Sequence, residues 1–542
     1  MTGTALAGAT LLPGIVVLAG CLFPASPSAA APPYVEVLQA PPSPLERGKA
    51  IFLQSCAGCH GEEGRGDGAA APYLFPKPRD FSRGAFKLTS TPNGSLPTDE
   101  DLFRTVTNGM PGSAMPSWEL LPENDRWAVV GHVKSLTRFF DEEEGKWVNY
   151  YDLGRDTTPV PIPPPPPRTT ESVARGKIAF RRAACWKCHG EEGRGDGPSA
   201  PTLKDDWGWP IEPRDYTAGI FKGGDDPVEL FKRVTIGMNG TPMPSHDSAL
   251  TPTQRWDVVH YLQSITRPGA QERARQIRRT ILARRVLPSP AWDEPAAPEW
   301  EGLPGTYVAL MPLWWRSDRI EGLLVRAAHD GQSILLQVTW EDRTRNAQAV
   351  RTEEFRDALA VQFALKPNAP FFAMGALGED VNLWLWKADR EGGPDAYPDV
   401  QTTYPNVAVM DYPETADWKP GERDAAKRPV RGMGARLAPG WAAGNPVSNP
   451  EAASPVENLA AHGFSTLSPL PSVSTRVRGR GVHDRGVWSV VFRRDLGRGE
   501  AGEAPLLPGQ RVPVAFAAWD GSAGDRNGQK SITIWHDLEI AW

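Results

Sequence analysis

The chain has 542 residues, with 59 Lys+Arg against 65 Asp+Glu and a formal charge of -6. At roughly 150 residues per domain that length suggests three or four domains, and the charge balance lacks the basic excess of a nucleic-acid binder. Five cysteines, four of them in two close pairs, exclude a disulfide framework. The 55 Pro and 20 Trp predict linkers, long irregular loops and large aromatic cores or cofactor-lining surfaces.

The apolar stretch at residues 5–25 reads as a secretory signal. Leu18-Ala19-Gly20-Cys21 looks like a bacterial lipobox, which makes residues 1–21 the signal and Cys21 the lipid-bearing N-terminus. No Lys or Arg precedes it, and a simple signal cut near Ala30 is the alternative. The expected location is periplasmic or otherwise extracytoplasmic, with the mature chain soluble or tethered through Cys21. A Pro-rich spacer follows over 22–42.

The chain then repeats itself. Glu46-Arg47-Gly48-Lys49 leads to Cys56-Ala57-Gly58-Cys59-His60 and an eight-residue run, Gly61 to Gly68. Ala174-Arg175-Gly176-Lys177 leads to Cys185-Trp186-Lys187-Cys188-His189 and the same run at 190–197. Two Met-Pro segments also correspond, 109–116 and 237–244, as do Arg126-Trp127 and Arg255-Trp256. The repeat predicts two domains, 43–150 and 170–268, too large a unit for a solenoid. The linker 151–169 contains Pro163 to Pro167 and reads as a semi-rigid polyproline spacer. Ser43-Pro44-Leu45-Glu46 and Thr251-Pro252-Thr253-Gln254 predict capped helix starts.

Residues 269–299 read as a basic connector helix and linker, with arginines from Arg273 to Arg285. Its bland role is a solvated connector; its sharper one is a docking surface for an acidic partner. From 300 the pattern turns to strands: two apolar runs flank Asp330-Gly331 as a hairpin, and Val512, Val514 and Phe516 alternate. Ile532, Ile534, Leu538 and Ile540 predict a final strand, and a Pro/Gly-rich insertion spans about 398–475. The expected fold is multidomain: two mainly α domains followed by an antiparallel β-sandwich over 300–542.

Cys-x-x-Cys-His is the attachment sequence for haem c. On one helical turn both thiols face the same side and each can add to a haem vinyl group, while the adjacent His reaches the iron. Zinc would need two further Cys or His per repeat at suitable spacing, and neither repeat has them. For the sixth ligand each repeat offers two Met, 110 and 115, then 238 and 243. Met115 and Met243 are chosen, because a following Pro holds each in extended backbone. His132, His246 and His260 are the rivals, read as structural or surface residues. His–Met ligation leaves no open iron site and favours electron transfer over catalysis.

Both repeats resemble class I cytochrome c domains, and Cys56, Cys59, His60 and Met115, with Cys185, Cys188, His189 and Met243, match that family's haem-binding pattern. The last third has no Cys. Its segments Phe371-Phe372-Ala373-Met374-Gly375, Val381 to Lys387 and Asp525 to Ile532 resemble the haem b-binding gamma subunits of ethylbenzene dehydrogenase, dimethylsulfide dehydrogenase, and chlorate and selenate reductases. That resemblance implies haem b ligation by Met374 and Lys530; without it Met374 reads as core and Lys530 as surface.

The function that follows is a non-catalytic, multi-haem electron-transfer subunit with two haems c and one haem b. By the resemblance, its partners are a molybdopterin catalytic subunit and an iron–sulfur subunit of a DMSO-reductase-family complex, and a soluble or membrane electron carrier. The alternative is a di-haem cytochrome c fused to a ligand- or carbohydrate-binding sandwich with no third haem.

Overall fold

The computed structural model describes residues 43–154, 156–316, 318–366, 374–375, 378–391, 403–404, 406, 455–470 and 477–542. Cys21, the expected signal and spacer, and most of the 398–475 insertion lie outside them.

The two repeats fold alike. In the first, α1 (Pro44–Ser55) runs into a single helical turn, α2 (Ala57–His60), followed by α3 (Asp99–Asn108) and α4 (Glu123–Leu136). In the second, α5 (Thr170–Arg182), α6 (Trp186–His189), α7 (Pro227–Ile236) and α8 (Pro252–Ile265) take the same order. The expected caps form: Ser43 and Glu46 make a reciprocal capping box, and so do Thr251 and Gln254. A hairpin that the sequence reading did not anticipate, β1 (Arg138–Asp141) with β2 (Lys146–Asn149), closes the first repeat.

In each repeat the first and last helices cross in direct backbone contact at a glycine. A Cβ on Gly48 would lie 2.0 Å from the Ala128 carbonyl oxygen, and one on Gly176 1.9 Å from that of Asp257. Beside each crossing the preceding arginine grips the opposite helix in a bidentate pair, Arg47 to Asp125 and Arg175 to Asp257. The linker is tied to both repeats near its middle: Val160 N–H donates to Ser90 O at 2.8 Å, and Ile162 packs on the second repeat's core.

The segment expected as a basic helix forms only α9 (Ala270–Arg273); Thr280–Arg285 is a strand, β3. Ile281 and Ala283 point into the core while their neighbours are exposed, a two-residue period that the arginines mask. The remaining strands are β4 (Thr306–Ala309), β5 (Met311–Pro312), β6 (Gly322–His329), β7 (Ser333–Glu341), β8 (Ala358–Ala364), β9 (Val381–Lys387), β10 (Val456–Ala461), β11 (Ser468–Pro469), β12 (Arg478–Asp484), β13 (Val487–Asp495), β14 (Arg511–Trp519), β15 (Ser531–Ile532) and β16 (His536–Ile540).

Eleven of them join in one ladder, β11-β10-β9-β8-β14-β16-β3-β6-β7-β13-β12, with β4 on β6 and β15 joining β14 to β5, rather than the two separate sheets of the expected sandwich. Most pairs are antiparallel, but β3 is parallel to both neighbours. The ladder curls until its ends meet: a Cβ on Gly481 of β12 would sit 2.3 Å from the Trp386 ring of β9. Inside lies the main core, with Trp340, Trp384, Trp386, Trp488 and Phe492. The Asp330-Gly331 turn joins β6 to β7 as expected. The expected final strand divides into β15 and β16, and β10 pairs with β9 inside the stretch read as an insertion. Among the described residues no helix is long and apolar enough to cross a membrane.

Gly48→Ala and Gly176→Ala are each expected to destabilise the chain by about 1–3 kcal/mol, because the helices must move apart. Gly131→Ala in α4, where the new methyl meets nothing within 4 Å, should leave thermal unfolding unchanged or raise its midpoint.

Candidate functional site

In each repeat the Cys-x-x-Cys-His turn, both candidate Met and the helix-packed apolar core line one cavity. The first is bounded by Cys56, Cys59, His60, Met110 and Met115; the second by Cys185, Cys188, His189, Met238 and Met243. The four cysteines are free. Burial raises their thiols, Cys56 and Cys59 to about 12 and Cys185 to about 11.

The histidine of each Cys-x-x-Cys-His turn is held by a backbone carbonyl. His60 Nδ1 donates to Arg79 O at 3.0 Å, and His189 Nδ1 to Arg214 O at 3.1 Å. That fixes the tautomer and leaves Nε2 as the basic nitrogen. Burial lowers both imidazoles to about 4, so they are neutral near pH 7. An aromatic ring stacks on each, Phe81 on His60 and Tyr216 on His189. The copies differ here: the Tyr216 hydroxyl lies 2.9 Å from His189 Nε2, a bond that a metal on Nε2 would replace.

The Met loops are matched. Met110 N–H donates to Met115 O, and Met238 N–H to Met243 O. Ser113 and Thr241 tie the turns by donating to Met110 O and Met238 O at 2.6 and 2.7 Å. Both Met of each loop line the cavity, so cavity lining alone does not choose between them. Of the rival histidines, His132 packs edge-on to Phe52 and His260 bonds Ser172 Oγ at 2.8 Å, both as structural residues. His246 instead lines the second cavity, three residues after Met243, where the first repeat has Trp118.

Sequence reasoning missed a set of buried cations. Arg79 and Lys87 line the first cavity, Arg214 and Lys222 the second, and none forms an ion pair among the described residues. Burial lowers them all, Arg79 to about 10, Lys87 to about 7 and Arg214 to about 9. Arg79 Nε and Arg214 Nε are buried without partners. Unanswered buried cations beside an apolar cavity suit a flat apolar ligand with carboxylate edges. The repeated Pro-Arg-Asp at 78–80 and 213–215 was the available signal.

The repeats embrace each other through those arginines. Arg79 reaches the second Met loop, donating to Asn239 O at 3.4 Å, and Arg214 reaches the first, donating to Gly112 O at 3.3 Å. Each guanidinium lies over a tryptophan, Arg79 over Trp207 and Arg214 over Trp315. Arg104 pairs with Glu229 at 2.6 Å across the same interface. The cavities share a wall: a Cβ on Gly223, in the second, would lie 3.4 Å from Leu88 of the first.

In the β region, Met374 and Trp519 pack against one cluster on the outer face of β8, β9, β10 and β14. That face is built from small residues, Ala360, Ala364, Ala461, Ala515 and Ala517, while the inward face carries Phe363, Trp384 and Phe516. Lys530 Nζ sits 4.8 Å from the Trp519 ring, and burial lowers the amine to about 8. Met374 has a positive φ of 65° and is fixed by Gln362, which accepts from its N–H at 3.3 Å. The two residues thus meet the same cluster; Phe371 to Ala373 lie outside the described residues. Trp118 of the first repeat belongs both to this cluster and to the lining of the first cavity. Nearby, Phe75 stacks on Trp314 and Tyr73 packs on Gly528, two residues before Lys530.

Residues 43–133 match the family of cbb3-type cytochrome c oxidase subunit III, and 173–266 match cytochrome c. Residues 316–531 match ethylbenzene dehydrogenase. The chain is 27% identical to the chlorate reductase gamma subunit of Ideonella dechloratans, over 50% of this chain and 89% of that one. It is 23% identical to the dimethylsulfide dehydrogenase gamma subunit of Rhodovulum sulfidophilum, over 40% of this chain and 58% of that one. Among solved structures, a chain of the reducing HAO-like protein complex of Kuenenia stuttgartiensis is 43% identical, over 41% of this chain and 96% of that one, with a TM-score of 0.38. The protein therefore joins cytochrome c domains to a domain of the ethylbenzene dehydrogenase gamma type.

Proposed function

We propose that this chain is an extracytoplasmic electron-transfer subunit carrying two haems c and one haem b. It relays electrons between a molybdenum and iron–sulfur oxidoreductase and a respiratory-chain carrier. Each c haem would be attached through Cys56 and Cys59 or Cys185 and Cys188. His60 with Met115, and His189 with Met243, would hold the irons, and Arg79, Lys87, Arg214 and Lys222 would answer the propionates. Met374 and Lys530 would ligate the third iron. When bound, the haems supply one-electron chemistry. The chain's own residues exclude water, fix the imidazole tautomers and set the order of the sites.

The observation that carries this reading is contiguity. Trp118 spans the Met374 cluster and the first cavity, and Leu88 against Gly223 joins the first cavity to the second. The order is haem b, first haem c, second haem c. Such shared walls set neighbouring sites side by side, and a relay needs that proximity. The partners follow from the likeness to gamma subunits, and the expected lipobox at Cys21 is the ground for the location.

A pyridine haemochrome assay with acid–acetone extraction should find two covalent haems and one extractable haem per chain, in a host that matures cytochromes c. Two covalent haems without the third, under ample haem supply, would return the β domain to a binding module. Met115→Ala and Met243→Ala should each alter the visible spectrum of one covalent haem, and Met110→Ala and Met238→Ala should not. Trp118→Leu should keep the haem content and slow exchange between extractable and covalent haems several-fold in stopped-flow spectroscopy. An unchanged rate would reject Trp118 as the bridge.

A further inference from the structure

Away from the haem cavities, three strand ends bring together three carboxylates. Asp342 follows β7, Asp357 precedes β8 and Asp520 follows β14, and one oxygen from each lies within 4.8 Å of the others. Asp342 is 7% exposed and Asp357 0%. None of the three forms an ion pair with Lys, Arg or His among the described residues.

Asp357 is locked by three N–H donors: Asn346 N at 2.7 Å, Gly521 N at 2.9 Å and Trp488 Nε1 at 3.0 Å. Asp342 Oδ1 accepts from Thr344 N and Oγ1 at 3.0 and 3.1 Å. Its Oδ2 is buried and has no hydrogen-bond partner among the described residues. Asp342 is also the middle member, since its charge acts on Asp357 and that of Asp520 acts on it. Three gathered carboxylates, two out of water, with a free buried oxygen and no cation of the chain's own, are an incomplete charge arrangement.

We propose that Asp342, Asp357 and Asp520 bind a divalent cation of the calcium class. The donors are all hard oxygens, with no His or Cys in the cluster, which disfavours zinc and copper. Calcium takes about six to eight oxygens in a flexible shell. Further oxygens stand on the same turn: Thr344 Oγ1 and Asn346 Oδ1 lie 2.8 Å apart, a hydroxyl and an amide oxygen at alternate positions after Asp342. Without a cation, burial first and then the neighbouring charges raise Asp342 and Asp357, the latter to about 7, so a shared proton is the competing state.

The site would have a mechanical role. Asp520 opens the turn that ends at Lys530, and the turn is held at its middle by Asp525, which accepts from Asp520 N at 3.0 Å and pairs with Arg316. A cation would fasten the near end of that turn to β7 and β8.

The test uses the full chain, stripped with a chelator, dialysed and titrated with calcium chloride alone by calorimetry. Retained calcium is counted by plasma mass spectrometry, and thermal unfolding is followed in parallel. The expected result is about one calcium per chain, a raised unfolding midpoint, and magnesium that competes weakly. Asp520→Asn, at a half-buried position that tolerates an isostere, should weaken binding roughly tenfold or more, as loss of one charged ligand does. Asp342→Asn should do the same; if it does not fold, the wild-type titration and Asp520→Asn still decide. No calcium on the wild-type chain, tighter magnesium binding, or equal binding by Asp520→Asn would each overturn the site. None of these readouts depends on any haem.

Discussion

The hydrogen bond from the imidazole of each Cys-x-x-Cys-His turn to an arginine carbonyl is the constraint around which the helical half is arranged. To place Arg79 O beside His60, and Arg214 O beside His189, the chain must fold back over the Cys-x-x-Cys-His turn. That return loop supplies the stacking Phe81 or Tyr216, and then the cationic Lys87 or Lys222. The helices frame it: the glycine crossings set the closeness of first and last helix, and the arginine–aspartate pairs beside them set the angle. Each imidazole is thereby neutral, fixed in one tautomer and turned with its basic nitrogen free of the carbonyl.

The same two arginines organise the assembly of the repeats. Their carbonyls serve their own histidines while their guanidinium groups serve the other repeat's Met loop. A change in either loop is therefore felt at both cavities. The two guanidinium groups concentrated at this interface make the electrostatic potential more positive on both sides of it. In the β half the division of labour is by sheet face. Large aromatics pack inside the curl, and alanines outside leave depth beneath Trp118, Leu313 and Met374.

What was legible in the sequence was what spacing encodes. Cys-x-x-Cys-His, the Met-Pro loops, the capping boxes and the 330–331 hairpin are all local, and all took the expected form or place. What escaped was non-local or carried by the backbone. A carbonyl oxygen leaves no side-chain signature, so the Arg79 and Arg214 contacts were invisible except as a repeated tripeptide. β3 was read as a helix because its arginines dominate, although Ile281 and Ala283 alternate inward. β10 was lost in a Pro/Gly-rich tract because its partner β9 is far away in sequence. The parallel neighbours of β3 and the curling of one ladder are matters of register between distant segments, which period alone does not give. Lys530 reads as a surface lysine until Trp519 is placed beside it.

The near-symmetry of the repeats also fails at the lids of the Met loops. In the second Met loop, Gly240 is covered by Trp207, which comes from the second repeat itself. In the first loop, the equivalent Gly112 is covered by Trp315, which comes from the β domain. The second copy carries extra residues between its Cys-x-x-Cys-His and its Pro-Arg-Asp to bring that lid; the first copy borrows one. The copies are consequently not interchangeable along the chain. Exchanging their order would leave one loop with two lids and the other bare, so the duplicated module has a fixed polarity.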